Sequence, residues 1–304
     1  LHGLSGWMAR RTLASSLRSV HDDMSRQPPR PRMAERTVLR RLRERTGLDQ
    51  AKILASGAAP IAPDVLRYFR AIGFEILEVY GQTEDTGLTA MNRPGHSRIG
   101  TVGTAFRGNQ LRLAEDGEIL VRGGVVFQGY YREDEATGET LSDGWLHTGD
   151  IGEIDADGFL RITDRKKDLI ITAGGKNISP SHIEGLLQQH ELIVHAVAIG
   201  DRRPFVAALL TLDPDAGEAW AKSHGVSSDD AGALMGNDEL LAEIRMHVDS
   251  VNQHLAQVEQ VKAWRLLPRD FEVGEELTPT MKVKRKVVAE RYAGEIDGMY
   301  SKPK

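Results

Sequence analysis

The sequence has no cysteine. That excludes a disulfide framework, a thiolate metal site and a cysteine nucleophile, and it is compatible with the cytosol. No apolar run approaches the roughly 18 residues that a membrane-spanning helix needs; the longest, such as Ala207–Leu212, are strand-sized. No charge of one sign dominates, since the net value is -5 over 304 residues. Nothing global therefore points to nucleic acid or an anionic surface as the main partner. Leu1–Ser5 leads into a polar, arginine-bearing segment with no apolar core, unlike a secretory signal. The first residue is not methionine, which suggests a piece of a longer parent.

What is present is an ordinary globular composition, 40% hydrophobic and 27% charged, in a length that suggests roughly two domains. Basic charge gathers at the start, where residues 1–50 hold eleven arginines against five acids. Apolar spacing predicts a helix over Gly3–Met24. Prolines at Pro28, Pro29 and Pro31 then make a stiff connector, and a basic helix over Ala34–Arg45 ends at Gly47. A strand at Lys52–Ala55, a helix at Asp64–Ile72 and a strand at Glu75–Val79 follow. That order is the grammar of an α/β sheet, whose ligands sit at the carboxyl ends of the strands.

Beyond Gly100 the texture changes. Short β-like runs (Gln110–Leu113, Glu118–Arg122, Phe159–Ile162) alternate with Gly and Asp-Gly turns, as in a small antiparallel sheet or barrel. A third texture begins after Asp164. Strands at Ile193–Ile199 and Val206–Leu212 alternate with helices at Ser181–Gln189, Asp213–Ser223 and Glu239–Leu255, with a polar loop at Ser227–Asn237. The expected fold class is thus α/β, then a small β-barrel-like subdomain, then a C-terminal α+β domain. The expected domains are residues 1–165 and 166–304.

Four loops carry chemistry. Ser56-Gly57-Ala58-Ala59-Pro60 offers small residues that let the backbone approach a flat ligand, although most such loops are simple tight turns. Tyr80-Gly81-Gln82-Thr83-Glu84 puts an aromatic face, a hydroxyl and a carboxylate within five residues. Those groups suit a nucleotide base, a phosphate oxygen and Mg²⁺; on the pentapeptide alone a surface turn explains them equally well. In Gly144–Asp150 the carboxylate of Asp150 follows a glycine in what reads as a loop. It can accept both hydroxyls of a ribose diol or merely cap a turn, and His147 is expected to pack locally. The charged run Asp164–Asp168 abuts Leu169–Thr172 and Gly174-Gly175, as either a solvated face or a hinge beside a polyphosphate.

The ordered set SGAAP, YGQTE, GEILVRG, WLHTGDIG, DRKKDLIITAGGKNISP and TPTMKVKR resembles the adenylate-forming superfamily of acyl-CoA synthetases, luciferases and adenylation domains. The wording ITAGGKNISP and LTPTMKVKR is most similar to its long-chain fatty acyl-CoA synthetases, and the likeness runs from about Lys52 to the C-terminus. The resemblance implies that Gly57, Ala58 and Ala59 line the adenine, Tyr80 and Gly81 form the base-stacking turn, and Thr83 holds the α-phosphate. It further implies that Glu84 binds Mg²⁺, Asp150 takes the ribose diol and Arg165 sits on the same sugar or phosphate. Lys167 falls at the hinge. Gly174 and Gly175 line the pantetheine channel, and Lys282 bridges the acyl carboxylate and α-phosphate. Met281 stands where the family commonly has glycine, and Lys284 and Lys286 are close enough for the basic residue to slip.

The implied reaction joins a fatty, long-chain acid to ATP with Mg²⁺, giving acyl-AMP, and then passes the acyl group to CoA. A serine, threonine and glycine-rich loop for the β- and γ-phosphates belongs upstream of SGAAP, and nothing like it occurs in Leu1–Lys52. The chain is therefore expected to be a weak or inactive fragment of a cytoplasmic enzyme, with peripheral membrane contact compatible with its basic patches. Rival readings are an adenylate-forming enzyme with a non-CoA acceptor and a non-catalytic nucleotide-binding fragment. Nucleic-acid binding through Arg26–Arg45 is disfavoured by the missing aromatics.

Overall fold

The computed structural model describes residues 13–26, 39–226 and 234–301. The chain divides into two compact units, Leu1–Thr163 and Asp164–Lys304. The sequence expectation put this change after Arg165.

The first unit opens with a helical turn at residues 13–18, a 3-10 turn at Met24–Arg26 and helix α1 (Arg40–Thr46), which Gly47 ends at φ +70°. Its first sheet runs in the order β1 (Leu54–Ser56), β2 (Ile76–Tyr80), β3 (Ala90–Met91), β4 (Thr104–Ala105). Strands β1 and β2 are parallel, with Leu54 opposite Ile76 and Ser56 opposite Glu78. A parallel pair needs a crossover, supplied here by α2 (Pro63–Ile72). Pro63 starts α2, where its missing N–H costs nothing, and Gly73 at φ +110° stops it. The buried Arg70 of α2 donates to the carbonyls of His21 and Asp22 and to Ser97 Oγ, which ties the N-terminal turn to the sheet.

The second sheet is antiparallel. It contains β5 (Asn109–Leu113), β6 (Glu118–Gly123), β7 (Leu141–Ser142) and β8 (Trp145–Ile154) in the order β5-β6-β8-β7, with β9 (Leu160–Arg165) on β8. Asp143 (φ +53°) and Gly144 (φ +74°) make the two-residue β7–β8 turn in the doubly left-handed form that matches strand twist. The inward row Ile119, Val121, Leu146 and Leu160 packs with Tyr80 and Ala90 in one cluster, which joins the two sheets. Helix α3 (Asp134–Thr140) lies between β6 and β7 in sequence.

The second unit is an α+β layer. Hairpin β10–β11 (Ile170–Ile171, Asn177–Ile178) precedes a sheet of β12 (Ile193–Ile199), β13 (Val206–Leu212) and β14 (Val261–Leu266). Strand β13 is buried on both faces. Val206, Ala208 and Leu210 meet α4 (Pro180–Leu187), α5 (Pro214–His224) and α6 (Asp238–Asn252), while Leu209 meets α7 (Arg285–Arg291) and α8 (Ala293–Tyr300). Each fully buried aliphatic contributes about 1.5–3 kcal/mol, so this central strand anchors the unit. Ser179, Asp213 and Asn237 cap α4, α5 and α6 with side-chain oxygens.

Several expectations shift. The helix read as Gly3–Met24 ends by residue 18 within its described part, because Asp23 pairs with Arg98 as a β-bridge and cannot stay helical. The connector at 27–32, residues 1–12 and residues 34–38 of the second helix lie outside the described residues, as do residues 227–233 of the polar loop. The WLHTGD segment is not a loop. It is the first part of the ten-residue strand β8, whose alternate residues Leu146, Thr148 and Asp150 point inward at period two. Strand β14 was not anticipated, since Val-Lys-Ala-Trp-Arg-Leu shows no clean alternation.

Candidate active site

The first two chemical loops follow adjacent parallel strands. Ser56–Pro60 leaves the end of β1, and Tyr80–Glu84 begins at the end of β2. Carboxyl ends of parallel strands are where open α/β sheets bind ligands. A Cβ on Gly57 would lie 2.9 Å from the Val79 carbonyl oxygen, so glycine lets the first loop press against β2. Ala58 takes φ +66°, a strained value that turns the chain outward and leaves Gly57, Ala58 and Ala59 exposed.

Gly81 is obligatory on sterics. A Cβ there would fall 2.2 Å from the backbone carbon of Gly87, because residues 82–89 fold back on the end of β2. Asp85 holds that fold: its Oδ1 accepts from the Gln82 amide at 2.8 Å and its Oδ2 from Thr89 Oγ1. Burial pushes the Asp85 carboxyl above its ordinary range.

Tyr80 and Asp150 meet across 70 residues of sequence: the phenol donates to Asp150 Oδ2 at 2.6 Å. Only 8% of Tyr80 and 6% of Asp150 is exposed. Burial, and then the Asp150 charge, hold the Tyr80 phenol above its ordinary range, so it remains a donor. The Asp150 amide donates to Thr148 Oγ1 at 3.1 Å, and that hydroxyl donates to the Ile119 carbonyl at 2.8 Å. Strand β8 thus delivers the carboxylate to the residue that opens the YGQTE loop. His147 bonds Glu118 at 3.1 Å on the opposite face of β8, so it packs locally as expected.

Thr83 lies exposed in a 3-10 turn, with no hydrogen-bond partner for its hydroxyl among the described residues. Next to it, Glu84 Oε1 accepts from Tyr130 Oη at 2.7 Å, and the Glu84 carbonyl accepts from the Phe127 amide at 2.8 Å. Tyr130 stacks edge-on against Phe127, with ring centroids 4.9 Å apart. Among the described residues no three His, Cys, Asp or Glu side chains form a metal cage. One oriented, half-exposed carboxylate beside a free hydroxyl fits Mg²⁺, which binds through one or two carboxylates plus phosphates and water. Tyr130 was missed in the sequence, because nothing in Gln-Gly-Tyr-Tyr-Arg predicts a reach of 46 positions.

In the second unit, Arg165 and Lys167 are exposed at the β9 end and the 3-10 turn Lys166–Asp168. Gly174 and Gly175 form the tip of β10–β11. The Gly175 amide donates to the Thr172 carbonyl at 2.8 Å, with φ +73° at Gly175. Lys282 is exposed on a hairpin and has no partner for Nζ among the described residues. Lys284 instead donates to the Gly274 carbonyl at 2.9 Å, and Lys286 is on α7. Met281, where the family commonly has glycine, takes φ +62°, a conformation that favours glycine.

Two loops at the carboxyl ends of adjacent parallel strands, followed by a separate α+β unit, form the arrangement expected of an adenylate-binding enzyme. Comparison with known families agrees: the model described as AMP-binding enzyme matches residues 7–131, and AMP-binding enzyme C-terminal domain matches 167–304. The chain belongs to the AMP-binding enzyme family. It is 46% identical over 273 residues to the long-chain-fatty-acid–CoA ligase FadD15 of Mycobacterium bovis, covering 88% of this chain and 45% of that protein. A crystal structure of the ATP-bound RpMatB–BxBclM chimera B1 matches at TM-score 0.65 and 28% identity, covering 86% of this chain and 50% of that one. The adenylation domain of a Mycobacterium chelonae carboxylate reductase matches in fold at TM-score 0.68 and 20% identity, covering 98% and 45%. The chain spans about half the length of the curated relatives it matches.

Proposed function

We propose that this chain carries adenosine-site and lysine-bearing parts of a ligase that activates a long-chain fatty acid with ATP and passes it to CoA. The observation that supports this most is the buried Tyr80–Asp150 pair at the end of a parallel strand, 2.6 Å between oxygens. It matches a base-stacking ring and a diol acceptor fixed to one another. The 46%-identical relative is a long-chain-fatty-acid–CoA ligase by name, which supplies the substrate class.

In this reading the acyl carboxylate attacks the α-phosphorus of ATP, pyrophosphate leaves and acyl-AMP forms. The CoA thiol then attacks the acyl carbon, AMP leaves and the thioester forms. The protein's work is positioning and charge neutralisation. Gly57, Ala58, Ala59, Tyr80 and Gly81 hold the adenine, Asp150 and Arg165 the ribose side, and Thr83 donates to an α-phosphate oxygen. Mg²⁺, when bound by Glu84, supplies neutralising charge to the phosphates. Lys282 bridges acyl carboxylate and α-phosphate in the first half, Lys167 is the pivot, and Gly174 and Gly175 give the pantetheine arm a side-chain-free wall in the second. A cytoplasmic protein drawing its acid from a bilayer surface is the setting implied, and co-sedimentation with vesicles checks that part.

The deciding measurement is calorimetric titration with a non-hydrolysable acyl-adenylate mimic, with AMP, and with ATP plus Mg²⁺. The reading expects the mimic to bind and Asp150→Ala to abolish it. Unchanged binding in Asp150→Ala would sink the site assignment.

A further inference from the structure

We infer that Glu276 is a positioning residue that fixes Lys282 in place; this rests on the adenylation reading above. Glu276 is completely buried, at 0% exposure, six residues before the exposed lysine. Its carboxylate accepts from Arg291 Nη1 at 2.6 Å, Arg269 Nη2 at 2.7 Å, the Glu272 amide at 3.2 Å and Tyr292 Oη at 3.3 Å. Its backbone carbonyl accepts from the Lys284 amide at 2.7 Å. One residue therefore closes the base of the hairpin with its main chain and clamps that base to α7 and the 269–272 turn with its side chain.

The next rung carries the lysine. The Thr278 amide donates to the Lys282 carbonyl at 2.8 Å, and the Lys282 amide donates to Thr278 Oγ1 at 3.0 Å. Beyond it the Met281 amide donates to the Thr278 carbonyl at 2.9 Å, which closes the turn. The path from Glu276 to Lys282 is thus two hydrogen-bonded rungs, with the Leu277–Val283 bridge between them. That bridge packs into the core with Val288 and Tyr292, whereas Met281 and Lys282 at the tip are exposed, so the tip depends on the hydrogen-bonded rungs.

The chemistry of the clamp requires a carboxylate. Five donor atoms from four residues converge on two oxygens, Arg269 giving both of its Nη atoms, and only an acceptor-only anion satisfies them all. A glutamine would aim an NH₂ group at a guanidinium or an amide. Burial by itself opposes the charge; the Glu272 amide and the Arg291 and Arg269 guanidiniums outweigh it and hold the carboxyl at about 2. Buried ion networks are weak stabilisers compared with apolar packing, and the use best attested for them is fixing one geometry. Here the geometry fixed is that of the lysine hairpin. The exposed Glu275 pairs with the same two arginines but makes no rung of the hairpin, which provides a control.

The test is a double-mutant cycle on the whole chain, read as affinity for a non-hydrolysable acyl-adenylate mimic and as amide hydrogen exchange in residues 276–284. Glu276→Gln should weaken the mimic roughly tenfold, as Lys282→Ala does, and the double variant should lose no more than either single one. Exchange at Thr278, Lys282 and Lys284 should quicken in Glu276→Gln but not in Glu275→Gln. Should Glu276→Gln fail to fold, Tyr292→Phe keeps the ring and removes one donor, and is expected to weaken binding in the same direction by a smaller factor. Additive losses in the double variant, or unchanged affinity in Glu276→Gln and Tyr292→Phe while Lys282→Ala weakens it, would overturn the inference and leave the ligase reading intact. A wild-type chain that binds no mimic overturns both.

Discussion

Tyr80 Oη and Asp150 Oδ2 lie 2.6 Å apart, and the Tyr80 ring sits in the cluster that joins the mixed first sheet to the antiparallel second one. The tether fixes the orientation of the ring, and the carboxylate keeps one oxygen for it. The bond is therefore a structural link and, in the proposed site, also a way of orienting two ligand groups. Removing it while keeping the ring separates those roles.

Tyr80→Phe is expected to lower affinity for AMP and for an acyl-adenylate mimic about tenfold, since it leaves a buried carboxylate short of one donor. The same loss should cost roughly 1–3 kcal/mol of stability. Calorimetric titration and thermal unfolding check both. Unaltered nucleotide affinity with lowered stability would mean that the bond serves the fold alone.

Met281 carries a cost visible in the backbone. At φ +62° a non-glycine side chain carries strain of about 1 kcal/mol. Met281→Gly should therefore raise the melting temperature by a few degrees, and Met281→Val should lower it, because a branched Cβ fits that region worst. A fall in melting temperature for the glycine variant would refute the strain.

Glu78 gives a pH dependence with a definite sign. It shares a β2 face with Tyr80, its Oε2 accepts from the Gly100 amide at 3.2 Å, and burial pushes its carboxyl up to about 7, against the pull of that amide and of Arg70 and Arg161. A raised folded value means the folded state favours the protonated form. Its contribution is most favourable below the unfolded value near 4.5 and is lost as pH rises through about 7. Glu78→Gln should thus stabilise the protein at pH 8 by on the order of 2 kcal/mol and change little near pH 4.5. Equal effects at both pH values in chemical denaturation would contradict this.

Much of this was legible because local rules and tertiary rules agreed. Ile193–Ile199 and Val206–Leu212 were readable to the residue because they are largely apolar runs in strands covered on both faces. Helix α2 was readable from Pro63 and Gly73. Strand β8 was not, because Trp-Leu-His-Thr-Gly-Asp mixes glycine, threonine and aspartate in positions that only the finished sheet buries. The site loops could be located, but their couplings could not. Tyr80 to Asp150, Tyr130 to Glu84 and Arg291 to Glu276 join residues 70, 46 and 15 positions apart, and no periodicity encodes such distances.

The Tyr130–Glu84 bond leads to the last expectation. The phenol occupies one carboxylate oxygen at 2.7 Å and fixes the rotamer of the other, while the carboxylate holds that phenol above its ordinary range. AMP brings no polyphosphate that needs a divalent ion, whereas ATP does. Tyr130→Phe should therefore leave AMP affinity within about twofold and weaken ATP in the presence of Mg²⁺ by about tenfold, the worth of one charge-assisted hydrogen bond. Raising Mg²⁺ should recover part of that loss, because a freely rotating Glu84 can still ligate once the ion is in excess. If AMP and ATP weaken equally, Tyr130 supports the loop as a whole and does not orient the carboxylate. If Mg²⁺ gives no recovery, Glu84 is not the residue through which the ion acts.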